Sequence, residues 1–228
     1  MLTPLIPGGL LVAIEGIDGA GKTTLMQKLA RQLSSANAPI VTSKEPTHGP
    51  HGTLLRASAA VGRLSPEEEL RLLLLDREQH VRQLIGPTLE RGEVMLLDRY
   101  FFSTAAYQGA EGLDVDHLLA VNRKFAPEPD LLLILDVEPE VGLGRVRARG
   151  DLPNHFETVE TLTRCREIFR GMVGAKLVDA NRSADEVFRD ALGLVLQAAS
   201  NKLTKAYGAT PAAAARLVML MGAETAGA

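Results

Sequence analysis

The 228-residue chain sets 25 Lys and Arg against 28 Asp and Glu, a net charge of −3, with 46% hydrophobic and 23% charged residues. That composition suits one α/β domain with a substantial core, and argues against a disordered chain or one organised around a nucleic-acid polymer or an anionic membrane. One cysteine, Cys165, excludes an internal disulfide and a cysteine-based zinc cluster, so a reducing cytoplasm is expected, and no apolar run approaches the ~20 residues of a membrane span.

Met1–Gly9 lacks a basic region and is broken by Pro4 and Pro7, so no signal peptide is expected. The apolar run Leu10–Ile14 then leads into Gly16-Ile17-Asp18-Gly19-Ala20-Gly21-Lys22-Thr23, followed by a segment of helical period from Thr24 to Leu33. Strand, glycine loop and helix in that order form a phosphate loop: backbone N–H groups and the helix N-terminus surround the phosphates. Lys22 can reach the outer phosphates and Thr23 can supply a hydroxyl to Mg²⁺. A bound nucleoside triphosphate is therefore expected.

Five short apolar runs are expected as strands: Leu10–Glu15, Ile40–Ser43, Val94–Asp98, Leu131–Val137 and Lys176–Asp179. Helical patterns separate them, which predicts a parallel sheet with helices on both faces. Asp98 and Asp136 end two of these runs, where ligands gather in such sheets. After the second run, Lys44-Glu45-Pro46-Thr47-His48-Gly49-Pro50-His51-Gly52 reads as a loop, with Arg56 on a short helix beyond it. His48 and His51 lack a third ligand nearby, so no metal is expected there.

Ser65-Pro66-Glu67-Glu68 predicts a helix start with a capping box. Leu70, Leu73, Leu74, Val81, Leu84 and Ile85 share the expected apolar face, and Arg77 falls on it, so an internal carboxylate or a ligand should meet its guanidinium. Gly86-Pro87 should kink or end that helix. Val94–Asp98 runs into Arg99-Tyr100, an Asp suited to Mg²⁺ through water beside an Arg able to grip a second phosphate group. Thr104-Ala-Ala-Tyr107-Gln108-Gly109 adds a hydroxyl, a phenol and an amide fit for reading a base and a sugar. Glu140–Arg149 reads as a helix with Arg145, Arg147 and Arg149, either a solvated basic face or a basic segment that closes over phosphates. Helices over Thr158–Val173 and Ser183–Ser200 follow, the second with a Ser183/Glu186 capping box. The Ala-rich stretch 201–228 is set apart as an extension of a single domain over 1–200, either a docked helix or a frayed end.

In combination, Gly16-Ile-Asp18-Gly-Ala-Gly-Lys-Thr-Thr24, Lys44-Glu45-Pro46, Asp98-Arg99-Tyr100, Ser103-Thr104-Ala-Ala-Tyr107-Gln108-Gly109, Pro129-Asp130 and Arg147-Ala-Arg149-Gly150 resemble the thymidylate kinases, over about residues 10–195. The resemblance implies a P-loop kinase fold, transfer of the γ-phosphoryl of ATP to thymidine 5′-monophosphate (dTMP) with Mg²⁺, and a homodimer. It implies that Gly16, Gly19, Ala20, Gly21, Lys22, Thr23, Thr24 and Arg145 bind ATP, and that Thr23 and Asp98 hold the metal, partly through water. It also implies that Asp18 accepts from the acceptor's 3′-hydroxyl, that Arg99 holds the monophosphate, with Arg56 the second candidate, and that Arg77 donates to O4 of thymine. Thr104 would face N3 and Tyr107 would crowd the 2′ position, with Glu45, Pro46, Leu73 and Gln108 completing the acceptor site. Lys22, Asp98, Arg99 and Arg149 are the implied catalytic residues, with a lid over about 145–157.

Some family members carry an Arg directly after the loop aspartate; here that site is Gly19, which assigns the catalytic arginine to the lid, Arg149 first. Where the family stacks a Phe on thymine, this chain has Leu73 or Leu74, and Thr47–Gly52 departs from the usual Gly-Gly-Thr. Kinases of another pyrimidine monophosphate or of a deoxynucleoside are the alternatives. A guanine-nucleotide switch is the remote one, because Asn201-Lys202-Leu203-Thr204 lacks the Asp of a guanine-reading motif.

Overall fold

The computed structural model describes residues 5–35, 38–61, 64–150 and 158–221. Five parallel strands, β1 (Leu10–Glu15), β2 (Ile40–Lys44), β3 (Val94–Asp98), β4 (Leu131–Asp136) and β5 (Lys176–Asp179), lie in the order β2-β3-β1-β4-β5. Every residue of β1 and β3 is buried, as expected for central strands covered on both faces. Parallel register pairs Ile14 and Lys44 with Asp98, and Asp136 with Asp179, so the strands end on one level. From β1 the chain goes to one side of the sheet and later to the other, and the crevice at that switch point is where ligands of such sheets bind.

Helices α1 (Lys22–Ser35), α2 (Pro50–Val61), α3 (Pro66–His80) and α4 (Gly86–Glu90) precede β3 or lead into it. Ser65 caps α3 by accepting from the Glu68 N–H, but the box is not reciprocal: the Glu68 carboxylate is taken by Arg71, with both bonds at 2.8 Å. Nor does the chain stop at Gly86-Pro87. A π-helical turn, Val81–Ile85, joins α3 to α4, with the Gly86 N–H reaching back to the Val81 carbonyl and so absorbing the break.

The inward face of α3 also differs from expectation. Leu72, Asp76, Arg77 and His80 are its buried residues, while Leu70, Leu73 and Leu74 are half-buried. Polar partners from the 45–52 loop and Asn122 draw this face in, and they override the apolar period. Farther on, α5 (Phe101–Ala110) and α6 (Val115–Arg123) pack together, α7 (Pro139–Ala148) leaves β4, and α8 (Val159–Arg170) lies against α5.

Helix α9 (Ala184–Tyr207) begins at the full Ser183/Glu186 box and runs past Ser200 to Tyr207. Then α10 (Pro211–Met221) docks on α9 and α1, burying Ala213 and Leu220. Residues 151–157 of the expected lid and 222–228 of the tail lie outside the described residues. Among the described residues, no helix is long and apolar enough to cross a membrane.

Candidate active site

The phosphate loop turns from the C-terminal end of β1 onto α1, and its glycines have structural causes. Gly16 lies at φ +135° with a Cβ position 2.5 Å from the Leu135 carbonyl, and Gly19 lies at φ +78° against Gly142. Lys22 folds back over the loop, Nζ donating to the carbonyls of Gly16 and Ile17, both at 2.9 Å. Burial, together with the Arg99 charge, pushes its ammonium down to about 8 against the pull of Asp18, Asp98 and Glu15. Thr23 Oγ1 donates to Asp98 Oδ2, joining the start of α1 to the end of β3.

Arg99 is the one non-glycine among the described residues at positive φ, 70°, with its N–H bonded to the Ile14 carbonyl at 3.0 Å. This turned backbone sends the guanidinium back across β1, where it pairs with Asp18 and donates to Ser103 Oγ at 3.1 Å. Tyr107 closes the group, its hydroxyl donating to Asp18 Oδ2 at 3.0 Å and its ring 5.1 Å from the Arg99 guanidinium. Burial pushes the Asp18 carboxyl up, but the Arg99 and Lys22 charges and the Tyr107 and Arg99 bonds outweigh it, and the net direction is down.

Beneath them lies Glu15, which no sequence pattern singled out. It accepts from the Tyr100 N–H at 2.7 Å, the Ser103 N–H at 3.1 Å and Ser103 Oγ at 2.5 Å. Burial raises its carboxyl from the ordinary 4.5 to about 7, against the Ser103 bond and the Arg99 charge.

At the other end Arg77, 2% exposed, meets an internal carboxylate, one of the two partners expected from its place on α3. Nε donates to Glu45 Oε2 at 2.8 Å, Nη1 to Asn122 Oδ1, and Nη2 to Thr104 Oγ1 at 3.1 Å. Asn122 is fully buried on α6, and its amide is oriented by a second bond, Nδ2 to the Leu118 carbonyl at 2.8 Å. His80 Nδ1 lies 2.9 Å from Glu45 Oε1. Asp76, one residue before Arg77, ties down the loop that carries Glu45, accepting from the Thr47 N–H and hydroxyl and from the Gly52 N–H at 2.6–3.0 Å. Asn122, His80 and Asp76 had no motif to announce them; each is found only by what packs against the 45–52 loop and Arg77.

These groups line three adjoining clefts. A phosphate cleft of about 270 Å³ collects Asp18, Gly19, Gly21, Lys22, Thr23, Thr24, Glu45, Pro46, Arg56, Asp98, Arg99 and Arg149, with Lys44 in addition. Asp18, Glu45, Pro46 and Arg99 are shared with an acceptor-side cleft of about 300 Å³ that adds Leu73, Arg77, Thr104, Tyr107 and Gln108. Gly19, Gly21, Thr24 and Arg149 are shared with a third cleft of about 470 Å³ that adds Ala20, Arg145 and Arg182.

Of the residues singled out in the sequence, Gly16 lies beneath this path and lines none of the three. Leu73 rather than Leu74 faces the acceptor cleft, and Arg147 faces none. Arg145 donates to the Ala180 carbonyl at 2.9 Å and the Gly19 carbonyl at 3.4 Å, and Arg56 to the Pro46 carbonyl at 2.9 Å. Asp136 stands apart from the clefts, bonded by Arg166 at 2.6 Å.

Comparison with known proteins places the whole chain. The thymidylate kinase family profile matches residues 14–191. A thymidylate kinase of Xanthomonas campestris pv. campestris is 56% identical over 222 residues, 96% of this chain and 97% of the relative. Thymidylate kinases of Xanthomonas oryzae pv. oryzae (56%, covering 90% of each chain) and Xylella fastidiosa (58%, covering 85% of this chain and 89% of the relative) are similar over most of their length. With the profile covering the sheet from the end of β1 into α9 and the relatives covering nearly all of the sequence, the chain belongs to the thymidylate kinase family.

Proposed function

We propose that this protein transfers the γ-phosphoryl of ATP to dTMP, giving dTDP and ADP. The observation that carries the reading is Arg77: a guanidinium, which can only donate, held by Glu45, Asn122 and Thr104 in the wall of the acceptor-side cleft. Nη1 keeps one N–H uncommitted among the described residues, which suits a carbonyl such as O4 of thymine and opposes the amino group of cytosine. Gln108 lines the same cleft with Oε1 unpartnered among the described residues, so its amide has an acceptor to offer N3–H.

At the phosphate end, Arg99 and Arg56 hold the acceptor's phosphate, Asp18 accepts from the 3′-hydroxyl, and Tyr107 crowds the 2′ position. The donor lies along Gly19–Thr24 with Arg145 beside it. Lys22 and Arg149 converge on the transferred group, and a loose phosphoryl-transfer transition state needs little beyond such alignment and positive charge.

A hydroxyl and a carboxylate meeting at the start of α1, Thr23 and Asp98, are the hard oxygen donors that Mg²⁺ prefers, so the residues present fit the ion. These two would hold it, partly through water, and the bound ion would neutralise charge on the donor phosphates. The family resemblance further implies a homodimer, and the single buried Cys165 suits a reducing cytoplasm.

Steady-state kinetics with ATP, Mg²⁺ and a panel of dTMP, UMP, dCMP and thymidine test the proposal. The expected preference is dTMP; an acceptor that wins by tenfold in kcat/KM overturns the specificity and leaves phosphoryl transfer standing. Arg99→Ala should raise KM for the monophosphate sharply, and unchanged turnover would remove Arg99 as the clamp.

A further inference from the structure

Two glycines, 123 residues apart in sequence, press backbone to backbone where the phosphate loop meets α7. A Cβ on Gly142 would stand 2.6 Å from the Asp18 carbonyl oxygen, and one on Gly19 would stand 2.1 Å from the Gly142 carbonyl oxygen. Glycine inside a helix is unfavourable unless something requires it. Helix α7 has two, and only one is required: a Cβ on Gly144 would meet nothing within 4 Å. One turn after Gly142, Arg145 bonds the Gly19 carbonyl, and at the C-cap Arg149 reaches both the phosphate cleft and the donor cleft.

From these contacts we infer that Gly142 is a positioning residue for phosphoryl transfer, seating α7 on the phosphate loop so that Arg149 is delivered to the transferred group. The inference rests on the kinase reading above and on Arg149 as its lid cation. Helix α7 then acts as a rigid arm, fixed at Gly142 and ending about 10 Å away at Arg149 at 1.5 Å rise per residue. The same contact leaves no room for a side chain at position 19 while α7 sits this close, so an arginine there is excluded and the arm carries one in its place.

An alanine at 142 must open the contact by roughly 0.8 Å to reach ordinary van der Waals distance from the Asp18 carbonyl. Because a displacement of about 1 Å at a reacting group can lower turnover on the order of 10²-fold, Gly142→Ala is expected to lower kcat by about 10- to 100-fold. Gly144→Ala, into open space on the same helix, should stay within about twofold of wild type.

The decisive measurement is a double-mutant cycle in full-length protein, with folding followed by thermal melting. If Gly142 acts through Arg149, Gly142→Ala loses its effect on kcat in an Arg149→Ala background. A full multiplicative loss in that background overturns the inference, as does a Gly142→Ala enzyme with wild-type kcat. Ala148→Gly, which loosens the arm beyond the contact, should lower kcat in the same Arg149-dependent way. It keeps the test decisive if Gly142→Ala melts too early to assay, and an Ala148→Gly effect independent of Arg149 then overturns the inference. Wild-type protein that turns over no dTMP is instead a failure of the kinase reading.

Discussion

Replacing Glu15 by Gln should change how stability depends on pH. In the folded chain the carboxyl titrates near 7 rather than 4.5, because burial outweighs the Ser103 and Tyr100 bonds and the Arg99 and Lys22 charges. The folded state therefore binds this proton more tightly than the unfolded state does. Stability from this group is complete below about pH 4.5, is lost as pH rises toward 7, and is level above. At about 1.4 kcal/mol per pH unit, the displacement corresponds to about 3 kcal/mol. Glutamine mimics the protonated acid: its Oε1 can keep the Tyr100 and Ser103 N–H bonds while its amide faces Ser103 Oγ. Urea unfolding of both proteins at pH 5, 6, 7 and 8, at fixed salt and protein concentration, measures the difference. The expected result is a variant that gains on wild type by about 2–3 kcal/mol between pH 5 and pH 8, since part of the displacement already falls below pH 5. A constant difference across that range would refute the argument. A variant that loses ground as pH rises would mean that Glu15 is an anchored carboxylate, with the loop charges outweighing burial.

Leu73→Phe should restore a ring beside the base, and about 1 kcal/mol of stacking predicts a KM for dTMP about fivefold lower at unchanged kcat; an unaltered KM would show that position 73 does not touch the base. Asn122→Ala strips one acceptor from Arg77 and should lower kcat/KM for dTMP about tenfold, with KM for ATP unchanged; equal losses for both substrates would make Asn122 a general packing residue. Arg77→Met leaves Glu45 buried without its cation and should destabilise the fold by about 3–5 kcal/mol in urea titration, and a loss under 1 kcal/mol would contradict the pairing.

The features legible in the sequence are those compressed into one stretch of chain. Gly16–Thr23 shows itself because strand, glycine turn and helix are contiguous, and Asp98-Arg99 because a carboxylate and a guanidinium end an apolar run. The five strands match their apolar runs to within a residue for the same reason, most plainly β1, β3 and β4, whose side chains sheet and helices bury together. Glu15 could not be read, since it looks like the polar end of a strand until α5, 85 residues later, brings Tyr100 N–H onto it. Asn122 and His80 reach Glu45 and Arg77 from separate helices, and no spacing encodes that meeting. The inward face of α3 departs from its leucine period because buried hydrogen bonds pull Asp76 and Arg77 inward, and periodicity carries no sign of that pull. The requirement for glycine at 142 is likewise invisible locally, since its cause is the Asp18 carbonyl 124 residues earlier.

The same pairings give the cleft a direction. Arg77 is matched by Glu45, and Glu69 lines that end as well, so the base end offers hydrogen bonds without surplus positive charge. The phosphate end gathers Lys22, Lys44, Arg56, Arg99 and Arg149 against Asp18, Glu45 and Asp98, an excess of cations within one cavity. Under the same proposal, a dianionic monophosphate entering reversed would meet Arg77 already matched by Glu45, with Glu69 beside them, and would forgo that excess, a less favourable approach in a partly desolvated cleft. Arg99 differs from Arg77 in what its partner leaves open: Asp18 can turn to a sugar hydroxyl once a phosphate shares the guanidinium, whereas Glu45 is fixed by His80 and the Arg77 bonds. Under the proposed function, the acceptor would be oriented by charge before any base contact forms, and Arg77 would then select among nucleotides already pointing the right way.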